Sequence, residues 1–423
     1  MLNKDNVREL AYLVYVDGIE PIPGKDRVEA AVIGGWRTMV KKGQFHPGDI
    51  GIYFEIDSKV PEKECFNFLE KYHYKIKTQK FKTFYSQGLL MHPFDFGWDV
   101  GLFLSDSDPS GNGVPFTTDK DGNDHFVEDE SRFLTKQLEV TYATSEDNQR
   151  KAPSVDKYKK MAQRHPDLFK KKWARWMMKR EWGKKVMFFF FGKAKDKKGG
   201  WPAWVTKTDE ERCQNMPWLF TDPDWNDELW IATEKIDGTS TTFTLKRGRG
   251  LHKDEFYVCS RNVCFDKPDK QCFYASNVYL EMAEKYNVES ILKDILENYP
   301  GLAYVTIQGE TYGDGIQNRN YSLAGGEHRF AAFNLIFGFY DGTKKRYNPI
   351  EMTKILNGKY SLPCVPIVVE AFKLPSTCDE LLQRATGESV VDGKEREGLV
   401  FRDRNGERSF KAVSNSFLEK YHS

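Results

Sequence analysis

Short runs of β-branched and aromatic residues, each ended by glycine or proline, fill the first 60 positions. They fall at 10–17, 28–33, 37–41 and 50–56, separated by Pro21-Ile22-Pro23-Gly24, Gly34-Gly35 and Pro47-Gly48-Asp49. Apolar residues punctuated by turn formers predict short antiparallel strands, and four at this spacing predict a small β-barrel. Residues 81–91 read as a closing strand and turn. The pattern changes from 105 to 129, where Gly, Asp, Ser and Pro dominate and a long loop is expected. Between 155 and 183 apolar residues recur at helical spacing, with Phe169, Trp173, Trp176 and Met177 on one face. The run 186–191 is short enough for a buried strand, and Gly199-Gly200 reads as a hinge. After Trp201 the best helices are 274–286 and 288–299, and the best strands 303–308, 330–337, 365–371 and 399–402. The fold class expected is α+β, in three parts: 1–104 a barrel, 105–198 an insertion with a basic helix, and 199–423 a mixed antiparallel domain.

Composition narrows this picture. Hydrophobic residues make up 39% and charged residues 30%, a soluble composition. No apolar stretch approaches the roughly 18 residues that cross a bilayer, and residues 1–6 lack a signal-peptide core. The seven cysteines are odd in number and scattered, as reduced thiols of an intracellular protein would be. A cytoplasmic protein without membrane contact is expected.

The net charge of +1 hides an asymmetry. Residues 157–198 carry 16 Lys or Arg against three acids, Asp167, Glu181 and Asp196. A block of one sign interleaved with Trp173, Trp176 and Trp182 suggests a polyanionic partner, although such a run also serves as a solvated face. With that partner in view, the N-terminal spacing suits an oligonucleotide-binding (OB) barrel; SH3-like barrels share it. Lys41, Lys42, Lys80 and Lys82 are groove candidates. Asp119-Lys120-Asp121-Gly122-Asn123-Asp124 resembles a calcium loop, but its glycine comes too early and no glutamate closes it.

The candidate chemistry centres on Glu234-Lys235-Ile236-Asp237-Gly238-Thr239-Ser240. Lys-x-Asp-Gly alone also describes a surface turn. Here Trp230-Ile231-Ala232-Thr233 before it and Thr241-Thr242-Phe243-Thr244-Leu245 after it read as buried strands. A lysine at such a junction is costly to keep charged, which is one way to make a nucleophilic amine. Further polar groups stand at strand ends downstream: Arg261 in Ser260-Arg261-Asn262, Glu310 in Gly309-Glu310-Thr311, Phe333 in a buried aromatic run, Glu397 in Arg396-Glu397-Gly398, and Lys411 in Ser409-Phe410-Lys411.

In this order the clusters resemble the covalent nucleotidyltransferase superfamily of polynucleotide ligases and capping enzymes. The likeness is closest to ATP-dependent RNA ligases with an N-terminal OB domain. Gly35-Trp36, Phe54-Glu55-Ile56-Asp57-Ser58, Ser86-Gln87-Gly88-Leu89-Leu90 and residues 207–215 extend it. The resemblance covers roughly 10–98 and 201–423.

It implies an ATP-grasp-like nucleotidyltransferase domain in which Lys235 attacks the α-phosphorus of ATP, forming lysyl-AMP and releasing pyrophosphate. Asp237, Glu310 and Glu397 would hold Mg²⁺, with Mn²⁺ as a substitute, mainly through water. Without a cation three carboxylates would raise the lysine pKa and defeat the attack. Lys411 would meet the α-phosphate, Arg261 the ribose or phosphate oxygens, Phe333 the adenine, and Arg212 the β- and γ-phosphates, with Glu234 and Gly238 completing the nucleotide site. Glu310 could equally hold a ribose hydroxyl. The family's second basic residue near the final lysine is absent, since Ser409 stands there. The implied partner is RNA, or a nicked RNA-containing duplex, bound by a monomer. DNA ligases and capping enzymes place an OB domain after the final lysine motif, whereas 12 residues follow Lys411 here. The other alternative is a nucleic-acid-binding protein with an inactive transferase domain.

Overall fold

The alternation in the N-terminal runs becomes strands with one covered face. In Trp36–Lys41 the side chains of Trp36, Thr38 and Val40 are buried while those between are more exposed. This strand pairs antiparallel with Val28–Ile33, from Val28↔Lys41 to Ile33↔Trp36. Gly34 and Gly35 form the two-residue turn between them at φ of 52° and 83°, a region that favours glycine. Gly18–Pro21 lies on the other edge of Val28–Ile33. A second sheet orders Ala11–Tyr15, Ile50–Phe54 and Leu89–Met91, all antiparallel. Leu13, Ile52, Phe54, Phe66 and Met91 share its core. Fully burying such side chains stabilises the fold by about 1.5–3 kcal/mol each.

The computed structural model describes residues 1–3, 7–81, 84–96, 116–118, 124–126, 132–143, 176–177, 180, 187, 201–207, 209–248, 250, 252–265 and 277–421. Met1–Tyr142 and Trp201–Ser423 form one compact unit and Ala143–Gly200 a second. Within the second, Met187 is buried and the Arg180 guanidinium lies 3.7 Å from the Trp176 ring centroid. The expected basic helix at 155–183, the strand at 186–191 and the Gly199-Gly200 hinge lie almost wholly outside the described residues.

Three details differ from the sequence reading. The expected strand and turn at 81–91 belongs to three strands, Gln79–Phe81, Phe84–Ser86 and Leu89–Met91. Phe116–Thr118 and Asp124–Phe126 pair antiparallel inside the expected loop, with Phe116 opposite Phe126. Residues 132–142 belong with the barrel rather than with an insertion. Leu134, Leu138 and Val140 enter the same core as Phe54, and Thr141–Tyr142 pairs with Ser58–Lys59.

The C-terminal part is built on two sheets. One orders Glu211–Arg212, Ser409–Val413, Gly398–Arg402, Leu229–Lys235 and Ile367–Lys373, antiparallel except for the parallel pairing of Glu211–Arg212 with Ser409–Val413. The other orders Cys264–Phe265, Glu255–Cys259, Thr239–Lys246, Leu302–Gly313, His328–Phe339 and Lys344–Arg346, all antiparallel. Val278–Lys285 and Val288–Asn298 cover the six-stranded sheet, burying Met282, Leu292 and Ile295 against Phe243, Ile307 and Phe337. Trp230, Phe401 and Phe410 pack with Leu381 and Leu382 of helix Cys378–Ala385 on the five-stranded one. This helix and Pro349–Tyr360 were not anticipated by the periodicity. Both carry legible caps: Thr377 accepts from the Glu380 amide, and Asn348, before Pro349, accepts from the Glu351 amide.

The chain passes from one sheet to the other at Ile236-Asp237-Gly238, because Lys235 ends a strand of the first and Thr239 begins a strand of the second. A Cβ on Gly238 would collide with the Thr311 carbonyl oxygen and stand 2.9 Å from Glu310 Cγ, so only glycine allows this close crossing.

Candidate active site

Register places the charged groups. Lys235 lies opposite Gly398, which brings it beside Glu397. Its Nζ is 2.7 Å from Oε1 and 2.8 Å from Oε2 of Glu397. Burial pulls the Lys235 pKa down, but Glu397, Glu310 and Asp237 outweigh it and hold the group above its ordinary value. Glu310 lies opposite Ser240 on the neighbouring strand. Burial pushes its pKa up to about 8, Lys235 opposes that, and Glu397 and Asp237 add to it. The Asp237 amide donates to Tyr321 Oη at 2.6 Å, which pins the crossing.

Lys235, Asp237 and Glu310, though not Glu397, border a cavity of about 300 Å³, at the lower end of the range for small-molecule sites. Lys235, Asp237, Gly238, Glu310, Arg261, Phe333 and Lys411 all line it, as does Glu234. The Glu234 carboxylate is already engaged, accepting from Ser389 Oγ at 2.5 Å and the Val390 amide at 2.7 Å. Lys411 reaches the cavity from Ser409–Val413, where it pairs with Val400. Burial lowers its pKa, and Lys235 and Arg212 add to that against the opposing charge of Asp209.

Arg212 is placed differently. It lies in register with Lys411 on the adjacent parallel strand, but it is not among the residues bordering the cavity. Its guanidinium is 5.7 Å from the Trp36 ring centroid, and Nη1 is buried with no partner among the described residues. The position two before the final lysine carries no charge. Ser409 accepts from Arg346 Nη1 at 3.3 Å, and Arg408 is committed elsewhere, to Glu228 at 2.9 Å and Asp403 at 3.3 Å.

Sequence reasoning missed three charged residues on the cavity wall: Asp209, Glu210 and Arg402. Arg402 is buried, paired with Glu210 at 2.6 Å, and its guanidinium stands 6.0 Å from the Phe333 ring centroid. Strand alternation from Val400, which also lines the cavity, would have found Arg402.

The donor set suits a hard cation, since Asp237, Glu310 and Glu397 offer only oxygens. Burial and the neighbouring Glu397 and Asp237 carboxylates raise the Glu310 pKa against the pull of Lys235. Among the described residues no three His, Cys, Asp or Glu side chains converge closely enough to hold an ion directly. The carboxylate oxygens are of the kind a magnesium-like ion accepts, an ion that usually keeps several waters.

Residues 228–413 match the family described as RNA ligase, and residues 10–93 match an OB-fold domain. No curated protein matches the chain. Among solved structures, a Naegleria gruberi RNA ligase variant with ATP and Mn is 23% identical, with a TM-score of 0.60 over 98% of this chain and 100% of that one. The Naegleria gruberi RNA ligase with PPi is 24% identical, with a TM-score of 0.59 over 98% of this chain and 99% of that one. A variant with AMP and Mn is similar to the same degree, at 24% identity and a TM-score of 0.59 over 98% and 99%. At such identities the likeness concerns the fold, over nearly the whole of both chains. Two separate family matches, in the order barrel then transferase and with the lysine crossing inside the second, place an RNA ligase domain over residues 228–413 behind an OB-fold domain over residues 10–93.

Proposed function

We propose that this protein is an ATP-dependent RNA ligase that works through a covalent lysyl-AMP at Lys235. The observation that carries the reading is Lys235 itself. It ends a buried strand where the chain crosses between two sheets, in a cavity lined also by the cationic Lys411, Arg261 and Arg402.

In the first step the Lys235 amine attacks the α-phosphorus of ATP, the new N–P bond forms, and the bond to the β-phosphate oxygen breaks to release pyrophosphate. Attack needs the neutral amine, so the proton on Lys235 must leave. Mg²⁺ held by Asp237, Glu310 and Glu397 would neutralise phosphate charge and weaken the hold of these carboxylates on that proton. Lys411 and Arg261 orient the α-phosphate, Phe333 stacks on adenine, and Gly238 lets the nucleotide approach the backbone. Arg212 orients the pyrophosphate, and its buried, unpartnered Nη1 supports a role that needs an anion. AMP then passes to the 5′-phosphate of an RNA end, and a 3′-hydroxyl displaces it to make the phosphodiester.

Residues 1–104 serve as the OB domain, joined in the core by 132–142, with 199–423 as the adenylyltransferase domain and the basic insertion as an RNA contact. The protein acts as a monomer on RNA ends or a nick in an RNA-containing duplex. Incubation with α-labelled ATP and Mg²⁺ should leave label on the denatured polypeptide, lost in Lys235→Ala. Absence of label on the wild-type protein would sink the reading. Joining assays on nicks, splinted ends and single strands then identify the substrate architecture.

A further inference from the structure

The segment just ahead of the first strand of the five-stranded sheet supplies a group that the steps above do not use. Asp209 lines the cavity together with Lys411 and Arg261. Its Oδ1 accepts from Lys411 Nζ at 3.1 Å, and its Oδ2 accepts from Arg261 Nη2. The two cations belong to opposite walls of the cleft. Lys411 sits on Ser409–Val413 of the five-stranded sheet, and Arg261 follows Glu255–Cys259 of the six-stranded sheet. One carboxylate therefore ties the two walls at the level where a phosphate would lie.

We propose that Asp209 is a positioning residue for the adenylylation step, holding Lys411 and Arg261 together across the cleft so that both meet the triphosphate of ATP. This rests on the proposed ligase function. Loose surface ion pairs contribute little, and Asp209 and Arg261 are each more than half exposed. Lys411 is the decisive partner, because only 19% of its side chain is exposed. Four charged groups act on it: Asp209, Glu210, Lys235 and Arg212. The Lys235 and Arg212 cations favour its neutral form, as burial does, and Asp209 is the acid that accepts a hydrogen bond from it. A neutral Lys411 would lose much of its hold on phosphate. Asp209 thus maintains both the place and the charge of the phosphate ligand, much as an outer carboxylate orients a metal-bound histidine.

The sign of the effect separates this from the opposite role. Were Asp209 merely a substitute anion filling the phosphate site, its removal would tighten ATP binding. Positioning predicts the reverse. In Asp209→Asn the KM for ATP in self-adenylylation should rise about tenfold, in line with the loss of a charge-assisted contact, with a smaller change in kcat. The alkaline limb of the 1/KM profile should move to lower pH, since Lys411 then gives up its proton more readily. Asp209→Glu should restore part of both. ATP affinity of the Lys235→Met variant, with and without Asp209→Asn, reads the same effect without chemistry. An unchanged or lower KM, or an unmoved pH profile, in protein whose melting temperature matches the wild type would overturn the inference while leaving the ligase function intact. Failure of the wild-type protein to label would overturn both.

Discussion

Lys235 Nζ lies within 2.8 Å of both carboxylate oxygens of Glu397, so the candidate nucleophile is held as an ammonium by the residue in register beside it. The pair stabilises the folded chain wherever Lys235 is charged. Its folded pKa is raised, so this contribution is complete below the unfolded value and fades only as pH climbs past the folded one.

Reactivity runs the other way. The neutral fraction of an amine grows about tenfold per pH unit below its pKa, so self-adenylylation at fixed Mg²⁺ should climb steadily from pH 6 to 9. Glu397→Gln removes the strongest influence that raises the Lys235 pKa. Its rate should begin to climb at lower pH, while its plateau falls at least about a hundredfold through loss of a metal-holding group. Label incorporation against pH checks this. An identical onset in the variant would mean that Glu397 does not control the proton on Lys235.

Glu310 makes a stability prediction over a lower pH window. Its pKa is raised to about 8, so between the unfolded value near 4.5 and about 8 the folded state binds the extra proton and stability falls as pH rises. Glu310→Gln should therefore melt higher than wild type at pH 8 without divalent metal, and the gap should shrink towards pH 5. Mg²⁺ should close it from the other side by stabilising the wild type. Thermal melts of both proteins at the two pH values, with and without Mg²⁺, supply the comparison.

Arg402 and Glu210 form a pair with side chains 1% and 13% exposed. Truncating one member of such a pair leaves a buried charge without its counter-ion, a loss of about 3–5 kcal/mol. Arg402→Ala should show that loss in urea unfolding, and Arg402→Met combined with Glu210→Gln should recover most of it. If the double variant were no better than the single one, the destabilisation would come from lost packing rather than from the stranded carboxylate.

Gly238→Ala tests the crossing itself. The added methyl meets the backbone of Thr311, which cannot turn away as a flexible side chain can. Asp237 and Lys235 should shift by some tenths of an ångström, enough to cost about a hundredfold in adenylylation. A variant that labels at the wild-type rate would show that the crossing is not held so tightly.

The barrel strands and the transferase strands were legible because glycine and proline bounded each apolar run, as at Gly34-Gly35. The lysine, carboxylate and final-lysine positions were legible because their motifs came in a known order, although Glu310 and Lys411 stand inside Leu302–Gly313 and Ser409–Val413 rather than at strand ends. Arg402 and Asp209 were not. Arg402 resembles any polar residue closing a strand until Phe333, 69 positions earlier, is brought near its face. Asp209 sits in an irregular segment with no periodicity, and only the pairing of Glu211–Arg212 beside Ser409–Val413 carries it to Lys411. Helix Cys378–Ala385 was hidden by its length, since eight residues hold too few apolar positions for a clear period.

Arg212 separates the steps of the reaction. Pyrophosphate takes part only in forming lysyl-AMP, so a residue that orients it should matter for that step alone. Arg212→Ala should raise the KM for ATP and slow self-adenylylation by about ten- to a hundredfold, yet join RNA that already carries a 5′-adenylate at close to the wild-type rate. The guanidinium also lies against Trp36, so the same substitution should lower the melting temperature by a few degrees. Trp36→Leu serves as the control, loosening that contact while keeping the cation. Equal losses in both reactions for Arg212→Ala, matched by Trp36→Leu, would assign Arg212 to holding the barrel against the transferase sheet and remove it from the chemistry.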